Sequence, residues 1–487
     1  MTDHAVVIAG GGPTGLMLAA ELRLADVDVV IVERRADQFL DSSRSGGLLS
    51  RTLEVLDQRG VAERFIAAGQ VFSMYGFGGM PFDVSDLPSR HSYVLALPQS
   101  TFEPMFADWV LGELGVPIIR QRAVTGFTQD PIGADVALSD GTSLRAGYLV
   151  GCDGGRSVVR KAAGIDFVGV DASTSWMIAE METDEDPLLG MHHDDVGMHA
   201  MNRAGADGPV RVVITERELT LGDNPSIDDL RDALVGVWGT DFGLRRANWI
   251  SRFTDATRQA TTYRTGRVLL AGDAAHVHPP HGGQGMGTGL QDAVNLGWKL
   301  AQVVKQISPD GLLDTYHAER HPVAARVLAN TMAQGLFNRG DARHQALRAS
   351  LADLVTIDEV RWRLYAMLSA LDIRYDLGGE HPLIGRRMPD LDLQTPDGPT
   401  RVFTLLHAAT PLLLNLGAPG GFDIAPWSDR VRLVNAEYDG AWELPVIGAI
   451  DAPAAALIRP DGYVAWAGDL ADASLPVALT EWFGPGR

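Results

Sequence analysis

The stretch AVVIAGGGPTG, residues 5–15, decides the fold of the first part of this chain. Ala5–Ala9 is a short apolar run that predicts a buried parallel strand, Leu16–Leu24 predicts a helix, and Val27–Val32 predicts a second strand. A right-handed βαβ unit is the common way to connect such pieces. We therefore expect an α/β fold whose main sheet begins with this unit.

Gly10, Gly12 and Gly15 form a GxGxxG motif between the predicted strand and the predicted helix. The first glycine permits a tight turn, the second lets the backbone approach a pyrophosphate, and the third lets the helix pack against the strand. Glu33 follows about 20 residues later, where an acid that binds a ribose hydroxyl is expected. The motif predicts a dinucleotide site; the alternative is a tight turn without a ligand.

A second glycine-rich segment, GDAAHVHPPHGGQGMGTG, occupies residues 272–289. It follows a predicted buried strand at Arg267–Ala271 and precedes a predicted helix at Gly289–Gln306. Asp273 stands at the strand end, where its carboxylate can accept a hydrogen bond from a polyol. FAD has such a ribityl chain and a nicotinamide dinucleotide has none, so the segment favours FAD. The alternative, a flexible loop, is disfavoured by the long helix that follows directly.

With CDGGRS at residues 152–157, these motifs resemble the FAD-dependent aromatic hydroxylases built like para-hydroxybenzoate hydroxylase. The resemblance covers roughly residues 4–370, and the C-terminal part resembles the thioredoxin-like domain of the phenol-hydroxylase branch, which includes aromatic polyketide hydroxylases and rifampicin monooxygenases. It implies a Rossmann-like FAD-binding domain with a helical extension at 1–170 and 266–385, an inserted β-sheet substrate domain at 171–265, and the thioredoxin-like domain at 386–487.

The resemblance also implies cofactor contacts, residue by residue. Glu33 would hold the adenosine ribose, Arg44 would lie near the pyrophosphate and the mobile flavin, and Asp273 would bind the ribityl chain. Gln99 would contact the ribityl region, and Asp153 would serve both FAD and NADPH. The full expected set is Gly10, Gly12, Pro13, Thr14, Gly15, Glu33, Arg34, Arg44, Gln99, Asp153, Gly154, Asp273, Pro279, Gly285, Met286 and Gly287. Gly287 stands where the family usually has Asn, which puts one flavin contact in question.

The activity that the resemblance implies is that of an EC 1.14.13-type monooxygenase. NADPH or NADH reduces FAD, and the reduced flavin and O2 form a C4a-hydroperoxide that hydroxylates a polycyclic, polyketide-type phenol. No side chain is assigned as certainly catalytic, because the flavin carries the chemistry; Arg44 and Pro279 are expected near it. Baeyer–Villiger oxygenation and antibiotic inactivation remain open on the same scaffold, as does a flavin-loaded protein that only sequesters its ligand.

The composition of the chain limits the kinds of partner that it can bind. Lys and Arg total 41 against 62 Asp and Glu, a net charge of −21, which disfavours nucleic acid and anionic membranes. No apolar run reaches the roughly 18 residues of a membrane span, and the single cysteine fits a reducing cytoplasm. His276, His278 and His281 have metal-like spacing, but Pro279 and Pro280 break any helix that would align them, so no metal is expected. A monomer and a homodimer both remain open.

Overall fold

The computed structural model describes residues 2–40, 45–203, 208–222, 224–337, 341–469 and 472–487. Up to residue 170 the strands are β1 (His4–Ala9), β2 (Val29–Glu33), β3 (Gly47–Leu48), β4 (Gln70–Phe72), β5 (Met74–Phe77), β6 (Met80–Asp83), β7 (Val94–Ala96), β8 (Ile118–Arg120), β9 (Val124–Gln129), β10 (Ala134–Leu138), β11 (Ser143–Gly151) and β12 (Phe167–Val170). The α-helices are α1 (Pro13–Leu24), α2 (Ser50–Asp57), α3 (Ala62–Ala68), α4 (Gln99–Ala107) and α5 (Val158–Ala162).

The middle of the chain adds β13 (Ser175–Thr183), β14 (Gly190–His193), β15 (Met198–Arg203), β16 (Val210–Thr215), α6 (Ile227–Trp238), β17 (Leu244–Thr254), β18 (Thr257–Ala260), β19 (Arg264–Thr265), β20 (Val268–Leu270), β21 (His276–Val277), α7 (Gly285–Val304), α8 (Asp314–Phe337), α9 (Ala342–Ala352) and α10 (Asp358–Ser369). The last part adds β22 (Asp392–Thr395), β23 (Gly398–Arg401), α11 (Val402–Leu405), β24 (Leu412–Asn415), β25 (Arg432–Asn435), β26 (Trp442–Leu444), β27 (Gly448–Ile450), β28 (Ala455–Ile458), β29 (Val464–Gly468) and α12 (Leu475–Phe483). Within these described residues, no helix has the length and apolar character needed to cross a bilayer.

The central sheet places parallel strands side by side in the order β20-β11-β1-β2-β8. Along the chain, successive strands are added first on one side of β1 and then on the other. The order of addition therefore reverses between β1 and β11, and ligands of open α/β sheets bind outside the carboxyl ends of strands at such a point.

The opening βαβ unit is confirmed. Val6, Val7 and Ile8 are fully buried, as expected of a strand that is covered on both faces. Helix α1 starts three residues before the predicted Leu16, because Pro13 occupies its first turn, where the fixed φ of proline suits a helix and its missing N–H has no intrahelical partner to lose.

A second, antiparallel sheet has the order β14-β15-β16-β13-β17. Its two faces differ because side chains alternate along a strand. On β13, Met177 and Met181 point toward helix α6 and share a buried core with Leu230. Trp176 points to the opposite face and stacks on Phe253 of β17, with ring centroids 5.3 Å apart.

The C-terminal part forms a third sheet in the order β25-β24-β28-β29, in which β24 and β25 are parallel and the other pairs are antiparallel. The turn sequence Pro460-Asp461-Gly462 predicts a hairpin, and the pairing of β28 with β29 confirms it. This part packs against helix α7, where Trp298 lies 6.3 Å from Trp482 between ring centroids.

Buried charges join the C-terminal part to helices α7 and α8. The Arg459 guanidinium is fully buried and donates to both carboxylate oxygens of Glu319, at 2.8 and 2.7 Å. Lys299, also fully buried, lies 3.0 Å from the same carboxylate, and Asp461 accepts from Arg459. Burial alone would raise the pKa of Glu319, but Arg459 and Lys299 outweigh it and lower the pKa to about 2.

Removing one partner should leave a buried charge uncompensated. We expect Arg459→Met to lower the free energy of unfolding by about 3–5 kcal/mol in urea titrations, while Arg122→Met, in a partly exposed pair with Asp140, costs under about 1 kcal/mol. Adding Glu319→Gln to Arg459→Met should recover part of the lost unfolding free energy.

The stability that the ionised Glu319 carboxylate contributes to the wild type should be present above its ordinary pKa of 4.5 and be lost as the pH falls toward 2. Equal effects of the two arginine substitutions would contradict this reading.

Candidate functional site

Four strand ends meet at one edge of the central sheet, and three backbone hydrogen bonds connect them. The amide of Gly10 donates to the Val32 carbonyl at 2.8 Å, Cys152 donates to Ala9 at 2.8 Å, and Ala271 donates to Gly151 at 3.0 Å. The segments that continue from these ends are the Gly10–Gly15 turn, Glu33, Asp153-Gly154 and Gly272-Asp273. All four motifs found in the sequence therefore converge where the strand order reverses.

The Gly10–Gly15 turn leaves an open space in front of helix α1. Gly10 has a φ of +105°, and a Cβ there would lie 2.3 Å from the Cys152 carbonyl oxygen, so only glycine fits. A Cβ at Gly12, by contrast, would meet no described atom within 4 Å. No side chain of the described residues caps α1, so the amides of Thr14 and Gly15 in its first turn are available to an anion.

Glu33 is buried and holds the turn in place. Its Oε2 accepts the Gly11 amide at 2.6 Å, and its Oε1 accepts the Arg35 amide at 2.8 Å. Burial by itself would raise the pKa of Glu33, but these backbone N–H groups and the Arg35 guanidinium outweigh it and lower the pKa. The carboxylate is therefore ionised and able to accept further hydrogen bonds.

A hydrogen-bonded chain extends from Glu33 to helix α4. Arg35 donates to Glu103 at 2.6 Å, and Glu103 in turn accepts from Gln99 at 2.9 Å. Gln99, a predicted contact, is thus linked to the turn through two residues that the sequence did not single out. Of the predicted arginines, Arg34 is exposed, and Arg44 lies outside the described residues. One nitrogen of Arg35 is buried without a partner in the described part of the chain, which leaves a donor for a ligand.

Asp153 binds the N-terminal end of the short helix α5, whose N-cap residue is Ser157. Its carboxylate accepts the Val158 and Val159 amides at 2.7 and 3.1 Å and the Ser157 hydroxyl at 2.5 Å. The side chain thus fixes the turn around Gly154. The structure gives it a local role beside the sheet edge, and its predicted contact with FAD and NADPH stays a prediction.

A buried carboxylate on α7 holds the Gly272–Asp273 turn in place through a hydrogen bond. Asp292 accepts the Gly272 amide at 3.1 Å, His276 at 2.7 Å and the Arg320 guanidinium at 2.7 Å. Burial would raise the pKa of Asp292, but Arg320 and His276 lower it. Asp273 itself is exposed at the surface of the turn.

The segment from Pro279 to Gly287 brings together the remaining predicted contacts. Pro279 is buried, and Gly285, Met286 and Gly287 form the first turn of α7. On one side of this segment lies a narrow cleft, lined by Gly47, Leu48, Leu49, Thr52, Gly283, Gln284, Gly287, Thr288, Gln291, Val323, Arg326, Val327, Leu368, Ser369 and Ala370.

The cleft has polar atoms that lack partners. The amide nitrogen of Gln284 and the amide oxygen of Gln291 are buried and make no hydrogen bond to any described residue. Such groups are costly unless a ligand or water satisfies them. The edge of a ligand that lies against the mouth of the cleft would supply such partners. These orphaned atoms and the open space at Gly12 are consistent with contacts to a dinucleotide.

Gly287 packs closely against Thr52 of helix α2. A Cβ at this position would lie 2.5 Å from the Thr52 hydroxyl. Thr52 therefore fills space that a larger residue at 287 would need, which gives a packing reason for the departure from the family's Asn.

On the other side of the segment lies a cavity of about 510 Å³, within the usual range of small-molecule sites. Pro279 and His281 form one wall, Trp176 and Thr215 of the second sheet another, and Met332 of α8 a third. The 279–287 segment therefore contributes Gly283, Gln284 and Gly287 to the narrow cleft and Pro279 and His281 to the large cavity.

Reasoning from the sequence missed Arg35, Glu103 and Asp292. Asp292 had a usable signal, because an acid inside an otherwise apolar predicted helix is a buried charge that needs a partner. Glu103 had a weaker one, since it follows Gln99 by one helical turn. The histidines at 276, 278 and 281 bond to different partners, and no group of three or more His, Cys, Asp or Glu side chains in the described ranges is placed to hold a metal.

Comparisons with known proteins agree on one family. Residues 3–331 match the model of the FAD binding domain, and residues 381–486 match that of the aromatic-ring hydroxylase C-terminal domain. The chain is 43% identical to a 12-dehydrotetracycline 5-monooxygenase/anhydrotetracycline 6-monooxygenase of Streptomyces rimosus, covering 99% of both chains. It is also 43% identical to a rifampicin monooxygenase of Streptomyces venezuelae, covering 98% of both. The solved structure of CabE, an aromatic hydroxylase from angucycline biosynthesis, superposes with a TM-score of 0.93 at 43% identity and full coverage.

The close fit between Gly287 and Thr52 can be tested by substitution. We expect Gly287→Asn to overpack this contact, at a cost of about 1–3 kcal/mol in unfolding free energy, and to weaken FAD retention, measured as the ratio of flavin to protein absorbance. Adding Thr52→Ala should restore most of both quantities, and Thr52→Ala alone should have little effect. If Gly287→Asn keeps full flavin and full stability, Thr52 is not what excludes the larger residue.

Proposed function

Because the chain belongs to the FAD-dependent aromatic-ring hydroxylases, an enzyme family of monooxygenases, we propose that it hydroxylates a polycyclic, polyketide-type phenol with NAD(P)H and O2. The observation that carries the proposal is the 279–287 segment, which lines the cleft with Gly283, Gln284 and Gly287 and the cavity with Pro279 and His281. A cofactor bound along this segment would lie near a substrate in the cavity, as oxygen transfer requires.

The proposed cofactor contacts follow the strand ends. Glu33 holds the adenosine ribose, the first-turn amides of α1 hold the pyrophosphate together with Arg44, and Asp273 with Gln99 holds the ribityl chain. The remaining proposed contacts are Gly10, Gly12, Pro13, Arg34, Asp153, Gly154, Pro279, Gly285, Met286 and Gly287. To these the geometry adds Arg35, Gln284 and Gln291, which have buried atoms without partners.

FAD, when bound, supplies the hydride-accepting and oxygen-activating chemistry. The protein's own residues then orient the substrate and exclude water. Trp176, which stacks on Phe253, lines the cavity, and an aromatic substrate packs well against such a ring. Apolar side chains of α8, including Met332 and Leu336, close the opposite side. This arrangement fixes a flat ring system against the 279–287 wall.

A second candidate is inactivation of an antibiotic by monooxygenation. It is supported by a relative named rifampicin monooxygenase that is as similar to this chain as the tetracycline enzyme is. Baeyer–Villiger oxygenation and ligand sequestration complete the alternatives. The shape of the cavity is the same for these two alternatives, so product analysis separates them from hydroxylation.

We also propose that the chain divides into three parts. The FAD-binding part comprises 1–170 and 266–385, the substrate sheet 171–265, and a thioredoxin-like part 386–487. The last has no cysteine, so it acts through packing rather than thiol chemistry. A cytoplasmic location is included because NAD(P)H is a cytoplasmic cofactor.

The activity is tested with the holoenzyme, NADPH and ¹⁸O2, offering anhydrotetracycline and rifampicin in parallel. We expect anhydrotetracycline to stimulate NADPH oxidation and to gain one labelled oxygen with loss of one ring C–H signal by NMR. Reactions without NADPH serve as the control. A labelled lactone or a cleaved ring would support the Baeyer–Villiger alternative, and turnover of rifampicin alone would support antibiotic inactivation. Tight binding without NADPH oxidation would overturn the enzyme proposal in favour of sequestration.

A further inference from the structure

His281, in the 279–287 segment, borders the cavity. His281 meets the edge of Trp176 nearly at right angles, with ring centroids 5.6 Å apart and an interplanar angle of 87°. Helix α8 backs the ring, since a Cβ at Gly335 would lie 3.4 Å from its Cε1. The imidazole is therefore held in one place beside the cavity.

One hydrogen bond fixes which nitrogen of His281 carries the proton. Nδ1 lies 3.4 Å from the Thr331 carbonyl oxygen, and a carbonyl can only accept. This contact favours the neutral tautomer with its hydrogen on Nδ1, which leaves a lone pair on Nε2. Burial lowers the pKa of His281, although Thr331 and Asp255 oppose the shift, so the ring is neutral near pH 7.

The charged groups around His281 are engaged elsewhere. Asp255, between β17 and β18, accepts the Ser173 and Thr174 amides at 2.7 and 3.0 Å, and these contacts lower its pKa against the effect of burial. His278, on the same loop, is neutral because burial lowers its pKa to about 4.

The other charged side chains of the cavity wall, as far as the structure describes it, are Asp195, Glu216, Arg217 and Asp341. Glu216 binds Arg252 at 2.8 Å, Asp195 lies 3.3 Å from Arg217, and Asp341 pairs with His344. Each of these side chains is therefore already paired with a group of opposite charge. Of the described lining residues, His281 is the neutral base with a lone pair to offer.

From this geometry we infer that His281 is the proton acceptor for the phenolic hydroxyl of the substrate, an inference that rests on the proposed function. In this step the phenol O–H bond breaks, an Nε2–H bond forms, and the electron pair stays on the oxygen. The product is an imidazolium–phenolate pair, and no oxidant or reductant is consumed. A phenolate ring is richer in electrons than a phenol, as electrophilic oxygenation requires. His281 is then a catalytic base that touches the substrate.

The position of the acceptor also orients the substrate. Because His281 belongs to the 279–287 segment, the ring that bears the reacting hydroxyl is the one that lies nearest this segment. The other rings extend away from this segment, between the second sheet near Leu219 and helix α8 near Leu336. The inferred substrate class is therefore a phenol at one end of a fused ring system.

The test compares the holoenzyme with His281→Phe, which keeps the aromatic contact with Trp176 but has no base, and with His281→Gln. The probe is 2-hydroxyanthraquinone, whose phenolate absorbs at longer wavelength than its phenol. We expect the wild type to lower the apparent pKa of the bound probe by about one unit or more, and His281→Phe to abolish that shift. Its kcat/KM with this probe should fall on the order of 100-fold near about pH 6 and recover at high pH, where the phenol ionises unaided. His281→Gln should lack the base as well.

His192→Phe is the matched control, since His192 is an exposed histidine of β14 that does not line the cavity. It should behave as the wild type does. A deficit of His281→Phe that is the same at every pH, with an unchanged pKa of the bound probe, would overturn the inference and leave the hydroxylase proposal intact. A lowered pKa of the bound probe without oxygenated product would support His281 as the acceptor while contradicting the proposed function. Failure of the wild type to bind the probe would overturn both.

Discussion

No side chain fits at Gly10, and the rest of the site depends on that close approach. The backbone at Gly10 runs against the Cys152 carbonyl, so the loops after β1 and β11 lie side by side. Hydrogen bonds at the last residues of β1, β2, β11 and β20 then align four loops along one edge. A larger residue at Gly10 would separate two of these loops, and the two halves of the site would no longer face the same ligand.

Charge acts locally in this protein. The chain as a whole carries −21, yet the surfaces offered to an anionic dinucleotide are backbone N–H groups of a helix start and one incompletely paired arginine, Arg35. The buried acids Glu33 and Asp292 bind backbone amides of the turns rather than opposing the ligand. The same principle holds at the C-terminal part, where Glu319 and Arg459 fix its position on α8.

The elements that can be predicted from the sequence are those encoded by local pattern. The apolar run before Gly10 and the Asp461-Gly462 turn predicted a strand and a hairpin, and both are confirmed. Contacts through space could not be read in the same way. Arg34 and Arg35 are neighbours with the same side chain, and only the bend after β2 exposes Arg34 and directs Arg35 to Glu103. The cavity could not be predicted for the same reason, because its lining combines His281 with residues of a sheet and a helix that are distant in the sequence.

The four strand-end loops and the 279–287 segment should together form one FAD site, and a crystal structure of the chain purified with FAD would show whether they do. We expect pyrophosphate density at the first turn of α1, the adenosine ribose at Glu33, and the flavin ring against Gly285–Gly287 beside Gln284 and Gln291. Flavin density elsewhere on the chain, or a Gly12 turn without phosphate density in a fully flavin-loaded crystal, would contradict it.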